Sequence, residues 1–280
     1  MRQAAREGTK MERTIVVTGA SSGVGLAAAE QFAAAGDQVV VVGRNPERLD
    51  AAVARVKAAG DGREPDRFQA DFERLQDVRD LAAHLLDTYP KIDVLANNAG
   101  GMVSDYRRTV DGFEATIEGN HLAPFLLTEL LRERLAGGRM VITASAAHRV
   151  GGPDPDDFTG SAAQYSSWRA YGRSKAANIL FAAEAARRWP DITSVSFHPG
   201  VVRSNFGTGQ LTRLFYKWAP GLVTPEKAGA LLVWLATAPA GELVDGGYYV
   251  GHKATEPAPQ ANDPAAAAKL WEASAAAVGR

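Results

Sequence analysis

A doubly wound α/β fold, with a seven-stranded parallel sheet and helices on both faces, is what this 280-residue sequence predicts. Three observations carry the expectation. Short β-branched runs alternate with longer amphipathic stretches along the chain. Several runs are apolar throughout rather than at every second residue, as strands are when helices cover both sides. A glycine-bearing turn, "TGASSGVG", joins the first run to the first amphipathic stretch.

Strands are predicted at 14–19 (TIVVTG), 38–43, 67–71, 92–98, 139–145, 192–197 and 247–251. Helices are predicted near 23–35, 46–59, 73–89, 111–136, 166–189 and 225–237. A last helix is expected in "DPAAAAKLWEASAAAVG", with Asp263 as its cap and Gly279 as its stop. Residues 1–11 are polar and patternless and read as a flexible tail. No repeat or composition break interrupts residues 12–280, so a single domain is expected there. The stretch 201–224 is too long for a plain loop and predicts a lid near 205–222. Within it, Phe215, Tyr216 and Trp218 either line an apolar pocket or pin the lid to the core. The segment 149–165 either walls the pocket or obstructs a helix face used for pairing.

Composition narrows the function classes. Lys and Arg total 31 against 32 Asp and Glu, a formal net charge of −1, which provides no electrostatic attraction for nucleic acid or an anionic membrane. The chain has no cysteine, which excludes disulfides and thiolate chemistry and fits a reducing cytoplasm. No uninterrupted apolar run is long enough to span a bilayer. A soluble, cytoplasmic protein is expected.

In the glycine turn, Gly19 lets the chain leave the first strand sharply. Gly23 and Gly25 let backbone amides and a helix N-terminus approach a pyrophosphate, and Ser21, Ser22 and Val24 complete the candidate cradle. The spacing is G-x-x-x-G-x-G rather than the usual G-x-G-x-x-G, but its place between first strand and first helix points to a nucleotide site, with a helix-entry turn that merely favours glycine as the alternative. The second strand then ends in "VVGRN". No carboxylate follows until Glu47, whereas the Arg44 guanidinium, with Asn45 beside it, can accept a 2′-phosphate. NADP(H) is therefore expected, with NAD(H) as the weaker alternative.

Tyr171 and Lys175, in "YGRSK", stand at i and i+4 and share a helical face, which places an ammonium beside a phenol. Taken alone, the pair is compatible with a routine amphipathic surface. His121, His148 and His198 lack a matching acid constellation and H-x-x-x-H spacing, so they read as packing or hydrogen-bonding residues, and no metal is expected.

Together these motifs resemble the short-chain dehydrogenase/reductase family over nearly the whole chain. They are "TGASSGVG" at 18–25, "NNAG" at 97–100, Asn120 in "GNHLAPFLLT", Ser145 in "ITASAAH", "YGRSK" at 171–175 and "HPGVVRS" at 198–204. "NHLAPFLLT", "SKAANILF" and "AAKLWEAS" are similar to the retinol dehydrogenase branch, which includes protochlorophyllide-reductase-like enzymes. The resemblance implies a role for each matched residue. Ser145 would bond the substrate oxygen, and Tyr171 would be general acid in reduction and base in oxidation. Lys175 would bond the nicotinamide ribose and depress the tyrosine pKa. Asn120 would hold a water linking Lys175 to solvent, although Asn120 beside Gly119 is also compatible with a simple helix kink. Asp71 would meet the adenine, and Asn97, Ala99 and Gly100 would wall the adenosine ribose. Pro199, Gly200 and Val202 would flank the nicotinamide carboxamide, which Ser204 would also bond. A homodimer or homotetramer through the helices at 111–136 and 166–189 is the implied assembly.

The chemistry needs these residue types. A phenol titrates near 10, too high for a base at neutral pH. A cation about 4 Å away, at an effective dielectric of about 20, stabilises the phenolate by roughly 4 kcal/mol, or about three pKa units. The expected activity is reversible reduction of a carbonyl on a fairly apolar small molecule. The alternatives are a catalytically silent NADP-binding regulator and a reductase of an activated C=C bond.

Overall fold

The computed structural model describes residues 12–202, 222–239 and 241–280. The expected tail at 1–11 and nearly all of the expected lid at 205–222 lie outside the described residues. Strands β1 (Thr14–Thr18), β2 (Gln38–Gly43), β3 (Asp66–Gln69), β4 (Val94–Asn97), β5 (Arg139–Thr143), β6 (Thr193–His198) and β7 (Tyr248–Val250) form a parallel sheet in the order 3-2-1-4-5-6-7. An eighth strand, β8 (Lys253–Ala254), pairs antiparallel with β7. The sheet therefore has eight strands rather than the seven expected. The extra strand arises because the chain reverses at Gly251 and His252, where Val250 pairs with Lys253. Two residues carry no readable period, and a short charged edge strand also blunts sheet-to-sheet pairing.

Alternate side chains of the continuous apolar strands enter opposite layers. Val16, Val40, Val42, Leu95, Met140 and Ile142 belong to one buried cluster. Ile15, Val17, Val39, Val41, Val94 and Ala96 belong to the other. Helices α1 (Gly23–Ala34), α2 (Pro46–Ala59) and α7 (Pro225–Thr237) cover the second layer through Phe32, Val53 and Leu232. The first layer is covered by α3 (Leu75–Thr88), α5 (Ala123–Leu130), α6 (Ser167–Arg188) and α8 (Pro264–Ala277). Caps fix several starts. Asn45 Oδ1 accepts from Arg48 N at 2.9 Å, Asp263 Oδ1 accepts from Ala265 N at 2.9 Å, and a proline follows each as the first helical residue.

The helix expected over 111–136 is not continuous. A single turn, α4 (Ala115–Ile117), leads into a π-helical segment at Glu118–Leu122, and α5 ends at Leu130. Ala123 N donates to Glu118 O, five residues back. Pro124 explains the break: it has no N–H for the carbonyl of Asn120, and its ring crowds that carbonyl out of an α-helical path.

C-terminal helix α8 fills the groove between α5 and α6. Trp271, 6 % exposed, lies 5.1 Å from Phe125, 5.6 Å from Phe181 and 4.9 Å from Trp189, centroid to centroid. Arg188 covers its other side at 4.8 Å. Trp271→Ala is expected to destabilise the chain by about 3–5 kcal/mol, read as a lowered midpoint in urea with an unchanged slope.

Candidate active site

Strand order reverses direction between β1 and β4, and the crevice outside their carboxyl ends is where an open α/β sheet receives a ligand. One buried hydroxyl binds the two strand ends together. Thr18 Oγ1 accepts from Asn98 N and Ala99 N, both at 3.0 Å, and donates to Ala96 O at 3.2 Å. Asn98 Nδ2 donates to Thr18 O at 3.0 Å. The glycine turn thus lies directly against the 98–99 backbone. A Cβ on Gly19, whose φ is +66°, would come within 2.8 Å of Ala99 Cα, and one on Gly25 within 2.5 Å of Gly19 O.

The residues present fit a dinucleotide. Ser22, at the N-cap of α1, makes no side-chain cap bond, so the first-turn amides face outward. A Cβ on Gly23 would have no atom within 4 Å, which leaves room for a phosphate. Ser21 packs under Gly43, where a Cβ would lie 3.0 Å from its own, and Val24 is half-buried in the first turn. Arg44, with its side chain 67 % exposed at the end of β2, makes one loose ion pair with Glu73 at 3.4 Å. Exposed pairs of this kind contribute about 0.2–1 kcal/mol, so the guanidinium is readily released to a phosphate. Asn45 is spent on capping α2. Asp71, just past β3, accepts from Glu73 N at 3.1 Å and is half-buried on the same side.

The catalytic candidates converge on the other side of the crevice. Lys175 is 2 % exposed, and its Nζ donates to Thr143 O at 3.0 Å, two residues before Ser145. Asn178 Nδ2 bonds the same carbonyl at 3.2 Å. The Lys175 ammonium lies 5.5 Å from the Tyr171 ring centroid. Coulomb stabilisation of a phenolate at that range is roughly 3 kcal/mol at an effective dielectric of about 20. Ser145 Oγ accepts from Ala147 N at 3.2 Å, which leaves its own hydrogen for another acceptor. Helix α6 meets this turn closely, since a Cβ on Gly172 would lie 2.6 Å from Ala147 O.

Asn120 stands in the π segment with its side chain fully engaged. Its Oδ1 accepts from Gly101 N at 2.8 Å, and its Nδ2 donates to Gly101 O and Ser174 Oγ, both at 2.9 Å. Gly100, φ +151°, passes so near that a Cβ would come within 2.6 Å of Asn120 Oδ1 and 3.4 Å of Lys175 Nζ. Asn97 is placed differently from its neighbours: it is buried, and its Nδ2 donates to Thr128 Oγ1 at 2.9 Å, towards α5. Pro199, Gly200 and Val202 follow β6, and Val202 bridges to Val223. Ser204 lies outside the described residues.

Sequence reasoning missed several members of the site. Thr18 and Asn98 hold the two strand ends, Thr143 and Asn178 hold Lys175, and Ser174 holds Asn120. Their signal was available as polar residues at strand ends or at i+3 from a named residue. Glu73, which also pairs with Arg107, had none, because its partners come from the turn after β2 and from the loop after β4.

This arrangement fits a dinucleotide-dependent oxidoreductase site on a doubly wound sheet. The short chain dehydrogenase family profile matches residues 13–212. The chain is 52 % identical to the Streptomyces sp. (strain C5) protein named "Putative daunorubicin C-13 ketoreductase DnrU", over 95 % of this chain and 93 % of that one. It is 34 % identical to human retinol dehydrogenase 13, over 95 % and 85 % of the two chains. An uncharacterized protein from Mycobacterium paratuberculosis superposes with a TM-score of 0.77 at 31 % identity, covering 95 % and 93 %. A short chain dehydrogenase from Burkholderia cenocepacia J2315, solved in complex with NADP, superposes with a TM-score of 0.67 at 27 % identity, covering 85 % and 94 %. The chain belongs to the short-chain dehydrogenase/reductase family and is an oxidoreductase of that type.

Burial pushes the Lys175 ammonium down from 10.5 to about 8. An unfolded chain holds this proton up to about pH 10.5, so folding carries the full burden below pH 8 and sheds it as pH rises from 8 to 10.5. The difference of about 2.5 units corresponds to roughly 3 kcal/mol. Lys175→Met is expected to abolish turnover yet raise the melting temperature of the cofactor-free protein at pH 7. The variant's advantage in thermal melts should vanish towards pH 10.5.

Proposed function

We propose that this chain reduces the carbonyl of a fairly apolar ketone or aldehyde with NADPH, Tyr171 supplying the proton. The observation that carries the reading is the Tyr171–Lys175 pair: a largely buried phenol ring 5.5 Å from a buried ammonium, on a helix tied to Thr143, where β5 ends two residues before Ser145. The nicotinamide, when bound, supplies the hydride. Ser145 Oγ, held by Ala147 N, donates its hydrogen to the substrate oxygen. Tyr171 transfers its proton to that oxygen as charge develops, and Lys175 stabilises the resulting phenolate. Asn120 anchors the Gly101 backbone, and its carbonyl, denied an N–H by Pro124, is where a water relaying protons towards Lys175 would bond.

Exposed apolar side chains beside the candidate residues support an apolar substrate. Trp168, one turn before Tyr171 and 47 % exposed, stacks on it with centroids 6.1 Å apart and planes inclined by 27°. Val150, beside Gly172, and Val201, after Gly200, are also exposed. The Streptomyces relative's name, a ketoreductase, favours a ketone over an aldehyde. No described helix is long and apolar enough to cross a membrane. For the assembly we favour a monomer over the dimer or tetramer expected, because α8 occupies the groove between the two helices that would pair. Light scattering at micromolar concentration is expected to return the mass of one chain.

The decisive experiment follows NADPH oxidation by absorbance over a panel of ketones, aldehydes and quinones. Tyr171→Phe is expected to lower kcat by about 10²–10⁴ while NADPH binding, read by fluorescence, stays unchanged. A phenylalanine variant as active as the parent would sink the reading.

A further inference from the structure

His148 has no part in the chemistry above, yet it is 0 % exposed and every polar group on it is used. Its Nε2 lies 3.0 Å from Ala258 N. A backbone N–H only donates, so Nε2 must accept, and the neutral ring then carries its hydrogen on Nδ1. That hydrogen is donated to Ser145 O, at 2.7 Å. The His148 carbonyl accepts from Gln260 Nε2 at 3.1 Å, and the ring meets Tyr248 edge-on at 5.0 Å. Burial, opposed only by the Ser145 bond, holds the imidazole below its ordinary pKa, and Arg149 adds to the effect. The His148 ring in turn helps hold nearby His198 below its ordinary pKa. The ring is thus a neutral strut with a fixed direction. It runs from the 256–260 segment, far along the chain, to the residue whose hydroxyl faces the substrate.

We propose that His148 is a positioning residue for Ser145, tethering the Ser145–Ala147 turn to the 256–260 segment so that Ser145 Oγ keeps its orientation. The turn is a five-residue 3₁₀ helix at Ala146–Val150 with weak internal bonding, and Ser145 O accepts from His148 N at only 3.1 Å. The ring bond to the same oxygen is the shorter one. Without it, the Oγ is free to swing, and small misplacements of a reacting group cost rate rather than binding. The catalytic side of this inference rests on the carbonyl-reductase reading; the tether itself does not.

The two ring nitrogens are separable by substitution. The amide nitrogen of asparagine mimics Nδ1–H, and the amide oxygen of glutamine can stand where Nε2 accepts. His148→Asn is expected to keep the Ser145 bond and lose the Ala258 bond, and His148→Gln the reverse. With isatin as carbonyl probe, kcat should fall about 10- to 100-fold in His148→Gln and stay within about threefold in His148→Asn, with KM for NADPH unchanged in both. Hydrogen–deuterium exchange, which needs no turnover, should show faster exchange over 145–150 in the Gln variant and over 256–260 in the Asn variant. A merely structural residue would make kcat follow thermal stability in both variants. Equal kcat in the two, or unaltered exchange over 145–150 in His148→Gln, overturns the proposal. If the wild-type chain leaves isatin untouched, that counts against the carbonyl-reductase reading, and exchange alone decides the tether.

Discussion

The burial of one ammonium constrains the rest of the site. A lysine 2 % exposed to solvent is stable only where oxygen ligands are fixed around it. Thr143 O, at the end of a central strand, is such a ligand, and Asn178, one helical turn past Lys175, is directed to the same oxygen. These bonds fix α6 in register against β5. Helix register in turn places Tyr171 one turn earlier on the same face, and Gly172 where it can touch Ala147. Gly100 is required because a side chain there would crowd both Lys175 and Asn120. The candidate catalytic residues are therefore placed by contacts that are themselves consequences of holding the charge.

The other half of the crevice is organised by backbone approach rather than by charge. Thr18 draws the 98–99 turn onto the end of β1, and that contact leaves space only for hydrogen at Gly19 and Gly25. The outward amides of α1 are then unshielded, as an anion site requires. Both halves depend on strand ends lying level across β1, β4 and β5. The parallel register, with Val17 opposite Ala96 and Ala96 opposite Val141, provides this.

The layers and the glycine turn were legible in the sequence because their signals are local. Strand runs such as QVVVV and RMVIT are buried on both faces, so they read as continuous apolar stretches. The glycines, Tyr171 and Lys175 are spaced within a single element, so periodicity alone pairs them. What escaped was set by partners distant in the chain. β8 exists because two residues after a turn meet β7. The π segment at 118–122 arises from a proline inside a pattern that otherwise reads as one helix. Asn97 and Asn98 are adjacent and identical in type, and the alternation of side chains along extended backbone sends one to Thr128 and the other to the glycine turn. Glu73 acquires its two guanidinium partners from segments that no local period connects.

Three of the five histidines show how far residue type underdetermines role. His121 bonds Ser274 on α8 at 2.9 Å, and burial pushes its pKa down to about 4, so it is a neutral core group joining the C-terminal helix to the π segment. His198, at the end of β6, is also held below its ordinary value by burial. His148 alone bonds the backbone of a candidate catalytic residue, and its tautomer is dictated by a backbone N–H that can only donate. Neutrality is what all three share, and for two of them it serves packing. For His148 it also selects which nitrogen can hold Ser145, so the low polarity that makes Lys175 costly to bury is the same property that gives this imidazole a direction.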